Sequence, residues 1–167
     1  ASDVYKRQMC SLEPNKNFRW IAEEAKRNPN CVFAVAGSIN KKVFADGMGF
    51  ECPNNMKLLG YVSDEEAKTL MRDCKAFLFP TFYEGFGIPP LEAMSAGAKN
   101  VYVSDAAVMH EVFEDSVHYI NPYKYNDVFD DNVVDTEECI RKVLSKYSWK
   151  KSAEILSAVI STMRGGQ

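Results

Sequence analysis

One loop of the chain combines acidic, glycine and proline residues in a spacing that suits the binding of an anion. It reads Glu84-Gly-Phe-Gly-Ile-Pro-Pro-Leu-Glu92. Glycines let backbone N–H groups approach a ligand closely, and prolines favour the first turn of a helix. Because proline has no N–H, the donors at this helix start must come from Gly85, Phe86, Gly87 and Ile88. Such donors at the positive end of a helix favour an anion, most commonly a phosphate.

Three charged residues are candidates for chemistry at this loop. Glu84 lies in the loop itself, and Glu92 is expected in the first turn of the helix, where its alternative role is to favour the helix dipole. Lys16 precedes another helix, and a cation there is electrostatically misplaced unless an anion lies beside it. The alternatives for Lys16 and Glu84 are a solvated turn lysine and a solvated loop acid. A diphosphate could bridge Lys16 and the four amides.

The elements that must position these residues alternate between strands and helices. Apolar runs predict buried strands at 31–36, 56–62, 75–79, 100–103 and 117–120. Helical spacing or capping residues predict helices at 18–27, 63–73, 107–113, 136–147 and 150–163, and a further helix whose first turn holds Pro89 and Pro90 and which runs to Gly97. This alternation predicts an α/β fold, a parallel sheet with helices on both faces. Ligands bind at the carboxyl ends of such strands, so Lys16 and Glu84 are expected at one sheet edge.

Composition narrows the class of protein and its partners. The 167 residues, of which 46% are hydrophobic, predict one domain. The net charge of -3, without a long basic run, argues against a nucleic-acid partner. The five cysteines are widely spaced, without a C-x-x-C pair or a histidine cluster, which argues against a bound metal or a disulfide framework. Buried free thiols are expected at Cys31 and Cys74, and a reduced, cytoplasmic setting follows.

The first eight residues, Ala1 to Gln8, differ in character from the rest of the chain. Within them, Asp3–Gln8 resembles the translation of a transposase adaptor used in sequencing libraries, so we predict a non-native read-through segment and native sequence from about Met9. Residues 4–10 could still occupy the place of the first strand. No apolar run is long enough to span a bilayer, although the full-length parent protein could associate with the membrane surface.

Taken together, these residues resemble the retaining GT-B glycosyltransferases of family 4, whose C-terminal domain carries an E-x7-E motif, here Glu84 to Glu92. Further matches run in family order along nearly all of the chain after Met9: Ser11–Asn17, Phe33–Ser38, Leu59–Asp64, Ser104–Glu111, Asn121–Tyr123 and Tyr147–Trp149. The resemblance implies that residues 9–167 are the Rossmann-like, C-terminal donor-binding half of a GT-B enzyme, with the N-terminal acceptor domain outside this chain.

The resemblance also implies roles for individual residues. Glu84 would contact the hydroxyls of the donor sugar, and Glu92 would hold the ribose. Lys16 would neutralise the diphosphate, which the amides of residues 85–88 would also hold. The remaining donor-binding residues that the resemblance implies are Tyr61 and Val62, near the nucleobase, and Gly37 and Ser38.

The implied reaction moves a sugar, with retention, from a nucleotide-diphosphate donor to a glycan or lipid-linked acceptor. It needs no cofactor and no metal, because cations and helix dipoles stabilise the departing nucleoside diphosphate. The expected location is cytoplasmic, including the inner face of the membrane, and the fragment alone is expected to be inactive. Two alternatives are a GT-B nucleotide-sugar epimerase and a non-catalytic nucleotide-sugar-binding subunit.

The chain departs from the family pattern in three places. Asn15 stands where a basic residue often precedes the lysine, and Cys10 where some members have an arginine. Lys99-Asn100 replaces a small residue and a proline after the helix. These departures concern the affinity for the donor and its identity rather than the fold.

Overall fold

A six-stranded parallel sheet forms the centre of the protein. The computed structural model describes residues 4–9, 14–37, 51–125 and 137–164. The strands are β1 (Val4–Met9), β2 (Val32–Ala36), β3 (Met56–Gly60), β4 (Phe77–Phe79), β5 (Val101–Ser104) and β6 (His118–Ile120). Their order is β3-β2-β1-β4-β5-β6, and each neighbouring pair is parallel. The predicted parallel α/β sheet is therefore confirmed.

Six α-helices lie within the described ranges, and their bounds agree with the sequence periodicity to within a few residues. They are α1 (Phe18–Arg27), α2 (Asp64–Asp73), α3 (Ile88–Ala96), α4 (Ala107–Phe113), α5 (Glu137–Lys146) and α6 (Trp149–Arg164). A short 3-10 turn, Pro14–Lys16, precedes α1. At the start of α2 the predicted capping box is present, because the side chains of Ser63 and Glu66 each accept a bond from the other's backbone N–H.

Strand β4 shows why the sheet has a core on each face. Successive side chains of a strand point to opposite faces, so Phe77 and Phe79 face one way and Leu78 the other. The phenylalanines join a buried cluster with Met109 and Phe113 of α4. Leu78 belongs to the second cluster, which includes Trp20 and Ile21 of α1, Phe33 of β2 and Tyr102 of β5. Burial on both faces explains why this strand reads as a continuous apolar run.

One predicted strand is shorter than expected. The apolar run suggested a strand through Val62, but β3 ends at Gly60, which has φ 70°. A positive φ takes the chain out of the extended conformation, and glycine adopts it without a steric cost. Tyr61 and Val62 consequently lie in the loop between β3 and α2.

Several expectations concern residues at the margin of the described structure. Cys10, Ser38 and residues 1–3 lie outside the described residues, while residues 4–9 supply β1. The non-native origin of the first eight residues stays a prediction, because a place in the sheet does not reveal origin.

Cys74 is a buried free thiol as expected, whereas Cys31 is only partly buried. Within the described ranges, no helix has both the length and the apolar character that a membrane span requires.

Tyr119 ties β6 to the end of α4, and its ionisation should weaken the fold. Its hydroxyl donates to the carbonyl of Glu114 at 2.6 Å, and burial, with smaller effects of nearby carboxylates, raises the pKa of Tyr119 to about 12. Below the unfolded pKa of about 10 the stabilisation is complete, and it is lost as the pH rises towards the folded value.

Urea unfolding of the wild type and Tyr119→Phe measures this effect. At pH about 8 the variant should be less stable by about 1 kcal/mol, because it lacks the hydrogen bond. The difference should shrink as the pH rises above about 10. A stability difference that stays constant up to pH about 11 would show that Tyr119 ionises equally easily in the folded and unfolded chains.

Candidate functional site

Lys16 and Glu84 meet at the carboxyl edge of the sheet. The Nζ atom of Lys16 lies 2.5 Å from Oε1 of Glu84, although 68 residues separate them. The two residues follow β1 and β4, which are neighbours in the sheet. Their side chains are only 12% and 15% exposed, so both charges are largely withdrawn from water. Breaking such a pair without a new partner is costly, because each charge would be left poorly solvated.

Hydrogen bonds hold the loops on both sides of this ion pair. The N–H of Phe82 donates to the carbonyl of Asn15 at 2.8 Å, which joins the loop after β4 to the turn after β1. The Ser104 hydroxyl, at the end of β5, donates to the carbonyl of Thr81 at 2.5 Å. The side chain of Asn15 departs from the family pattern. Its backbone carbonyl nevertheless helps to hold the two loops together at this edge. The sequence analysis placed Ser104 at the start of a family-matching segment but gave it no role; its signal is a polar residue that closes an apolar strand.

The start of α3 presents backbone donors beside Glu84. Gly87 is the N-cap with φ 96°, and no side chain caps the helix. In the part of the chain that the structure describes, the N–H groups of residues 85–88 donate to no protein acceptor. These unpaired donors and the positive end of the helix dipole can receive an anion. The structure thus brings Lys16, Glu84 and the predicted amides to one edge.

The position of Glu92 differs from the prediction. We expected it in the first turn of α3, but that turn contains no acidic residue. The helix begins at Ile88, one residue before the two prolines, so Glu92 is its fifth residue and lies in the second turn. Its exposed side chain lines a groove of about 450 Å³ between α2 and α3, with Asp64, Lys68 and Ser95. A role in favouring the helix dipole is correspondingly weak, because the effect falls off within the first turn.

Tyr61 and Val62 lie in another groove, on the β3 side of the sheet edge. This groove has a volume of about 650 Å³ and is formed by the β3–α2 loop and by α2. Tyr61 is 86% exposed, which leaves its ring free to stack on a flat ligand. Gly37, at the end of β2, donates its N–H to the carbonyl of Gly60 at 2.9 Å. Gly37 therefore supports the loop that carries Tyr61.

Comparison with known proteins identifies the family. Residues 8–153 match the family model described as glycosyl transferases group 1. The chain belongs to this family. The match includes the Lys16–Glu84 pair, the start of α3 and the β3–α2 loop.

The chain is also similar to individual proteins and to solved structures. The chain is 42% identical over 72 residues to the O-antigen chain mannosyltransferase RfbU of Salmonella typhimurium, covering 43% of this chain and 20% of that protein. Sucrose-phosphate synthase from Thermosynechococcus elongatus has a TM-score of 0.78 at 14% identity, with 100% of this chain and 47% of that chain covered. Anabaena HepE in complex with UDP and glucose has a TM-score of 0.73 at 16% identity, covering 96% and 49%.

These structural neighbours are GT-B glycosyltransferases, so the GT-B character of the fold is confirmed. The chain spans less than half of the length of the proteins just compared. In the ranges that the structure describes, no three histidine, cysteine, aspartate or glutamate side chains are grouped as a metal site.

In this group 1 glycosyltransferase domain, helix α4 supports the start of α3. A Cβ atom at Gly87 would lie 3.1 Å from Cε2 of Phe113 and 3.3 Å from Sδ of Met109. These contacts are tight, and φ 96° is already unfavourable for other residues. Glycine at this position therefore allows α4 to pack directly beneath the amides. The sequence patterns did not predict this contact, because Met109 and Phe113 read as ordinary core residues.

Alanine substitutions at Gly87 and Gly85 should show whether the packing of α4 against the start of α3 requires glycine at position 87. Gly87→Ala should lower the free energy of unfolding by about 1–3 kcal/mol, through backbone strain and crowding against α4. A Cβ at Gly85 meets no atom within 4 Å, so Gly85→Ala is the matched control. It should change stability by less than about 0.5 kcal/mol. Urea unfolding measures both variants, and equal losses would show that crowding at Gly87 is unimportant.

Proposed function

We propose that this domain binds a nucleotide-diphosphate sugar and supplies the donor half of a retaining family 4 glycosyltransferase site. The acceptor of the complete enzyme is a glycan or a lipid-linked saccharide. The observation that carries the proposal is the Lys16–Glu84 ion pair beside the open amides of residues 85–88. It combines a cation and backbone donors for a diphosphate with a carboxylate that can accept bonds from sugar hydroxyls.

Binding of such a donor requires the ion pair to exchange partners. The Lys16 ammonium would donate to a diphosphate oxygen, and the Glu84 carboxylate would accept from a sugar hydroxyl. A ligand that provides both groups leaves neither charge unpaired, so it offsets the cost of opening the pair. During transfer the bond from the anomeric carbon to the phosphate oxygen breaks, a bond from that carbon to an acceptor hydroxyl oxygen forms on the same face, and the hydroxyl proton passes to the departing phosphate. Lys16 and the α3 dipole then stabilise the negative charge that develops on the nucleoside diphosphate, without a metal or another cofactor.

The remaining donor roles in this proposal are those that the family resemblance implies. We assign the nucleobase to the β3–α2 loop that carries Tyr61 and Val62, and further donor contacts to Gly37 and Ser38. Glu92, which is exposed on α3, is assigned to the ribose. The name of the relative RfbU, an O-antigen chain mannosyltransferase, favours a mannosyl donor and a saccharide acceptor.

The complete protein has a second domain in this proposal. Helix α6 exposes Ile155, Leu156, Val159, Ile160 and Met163, which are between 43% and 76% exposed. An apolar helix face of this kind is suited to packing against another part of the protein. We assign it to contact with the acceptor-binding domain and place the enzyme in the cytoplasm or at the inner face of the membrane. The free thiols of the described cysteines are compatible with that reducing location.

Calorimetry with GDP-mannose, UDP-glucose and ADP-glucose tests donor binding by the folded chain. At least one of these should bind, and a mannosyl donor is expected to bind most tightly. If neither the folded chain nor its full-length parent binds any of the three, the proposal is wrong. Product formation without an acceptor would instead indicate an epimerase.

Two substitutions test the division of roles in the ion pair. Lys16→Met should weaken binding of a free nucleoside diphosphate about tenfold or more, because a charge-assisted bond is lost. Glu84→Gln should remove the added affinity from the sugar while it preserves or increases the affinity for the free nucleoside diphosphate, since Lys16 no longer faces a charged carboxylate at position 84. Lys26→Met is the matched control, because Lys26 forms an exposed pair with Glu23 on α1. Equal weakening of both ligands by Glu84→Gln would contradict the assigned role.

A further inference from the structure

Phe86 lies in the middle of the loop whose amides are proposed to hold the diphosphate. Its neighbours are Gly85 and Gly87, and glycine adopts many backbone conformations at little steric cost. Gly85 is exposed, and a Cβ atom there would meet no other atom within 4 Å. Between the two glycines, Phe86 supplies the side chain that can hold this loop in one conformation.

Tyr147 contacts the ring of Phe86. The two ring centroids are 5.0 Å apart, and the ring planes are nearly perpendicular, at 87°. Aromatic pairs prefer this edge-to-face arrangement, because the positive edge of one ring meets the negative face of the other. Both rings are partly buried and pack against the core cluster that contains Phe79 and Phe113. The contact therefore attaches the amide loop to the core.

Tyr147 is itself held in place by the helix that precedes it. It is the first residue after α5, and Val143 of that helix is buried in the same core cluster as residues of α4. Glu114, the residue after α4, accepts a hydrogen bond from Lys142 of α5 at 2.8 Å and another from Lys146. These contacts fix the end of α5 relative to α4.

The two helices consequently support consecutive residues of the amide loop. Helix α4 packs beneath Gly87 through Met109 and Phe113, and the end of α5 packs against Phe86 through Tyr147. A loop that is ordered before its ligand arrives binds that ligand more tightly, because binding does not have to supply the entropy of ordering.

We propose that Tyr147 is a positioning residue for the diphosphate, and that it acts through Phe86 on the amides of residues 85–88. Its ring carries this role, because the contact is formed between the two rings. Tyr147 belongs to a family-matching segment to which the sequence analysis gave no role. The inference rests on the proposed function, which gives these amides a diphosphate to hold.

Backbone NMR relaxation of the ligand-free chain tests whether Tyr147 holds the loop. In the wild type, the N–H order parameters of Phe86 and Gly87 should be about 0.8 or higher, as in a rigid backbone. Tyr147→Ala should lower them to about 0.6 or below. Tyr147→Phe should restore them, because it keeps the ring. Unchanged order parameters in Tyr147→Ala would overturn the proposal.

Calorimetry measures the consequence for the donor, with whichever of GDP-mannose, UDP-glucose and ADP-glucose binds the wild type most tightly. Tyr147→Ala should weaken binding about fivefold, which corresponds to an aromatic contact of about 1 kcal/mol, and Tyr147→Phe should bind like the wild type. In a Phe86→Ala background, Tyr147→Ala should have little further effect, since both substitutions remove one contact. Additive losses would show that Tyr147 does not act through Phe86.

Ile140→Ala is the matched control. Ile140 is a partly buried residue of α5 that packs against the same core cluster, so its truncation should lower stability in urea without changing the loop order parameters or donor affinity. An equal loss of donor affinity in Ile140→Ala would overturn a specific role for Tyr147. If Tyr147→Ala does not fold, Tyr147→Leu takes its place, because leucine keeps apolar volume but lacks the ring.

The two measurements also separate this inference from the proposed function. Absence of donor binding in the wild type would overturn the proposed function, while the order parameters would still decide whether Tyr147 holds the loop. Donor binding that is unaffected by Tyr147→Ala would overturn the positioning role alone.

Discussion

The central interaction of the site is the ion pair between Lys16 and Glu84, because it determines which ligands can enter. Both side chains are mostly withdrawn from water, so a ligand that engages only one of them leaves the other poorly solvated. A simple phosphate offers a partner to Lys16 but none to Glu84. A nucleotide sugar offers a diphosphate to one and hydroxyls to the other. In the proposed function, the pair therefore favours the complete donor over its fragments, because a fragment would leave one charge without a partner.

The order of strands in the sheet makes this pair possible. Because β1 and β4 are neighbours and parallel, their carboxyl ends open onto the same edge, and the residues that follow them meet. The segment after β6 crosses that edge and is anchored on α1 through Asn17 and Trp20. Packing of α4 beneath Gly87 supports the other side. Several chain segments that are distant in sequence therefore meet at this site, where hydrogen bonds and side-chain packing join them.

Membership of the glycosyl transferases group 1 family gives these contacts a biochemical context. The relatives are longer, and the chain covers less than half of each solved structure compared here. Helix α6 carries exposed apolar side chains, which we assign in the proposed enzyme to contact with a second domain.

The sequence by itself determined most of the helices and strands and indicated the candidate site residues. Strands buried on both faces are continuous apolar runs, and helices show their own spacing and caps, so local patterns suffice to locate them. Lys16 and Glu84 could be placed at one sheet edge in advance because parallel strands end there, but their direct ion pair was not predicted. Tertiary structure alone decided which contacts form there. It placed Glu92 in the second turn and joined Phe86 to Tyr147, since such contacts depend on loop paths that no local periodicity encodes.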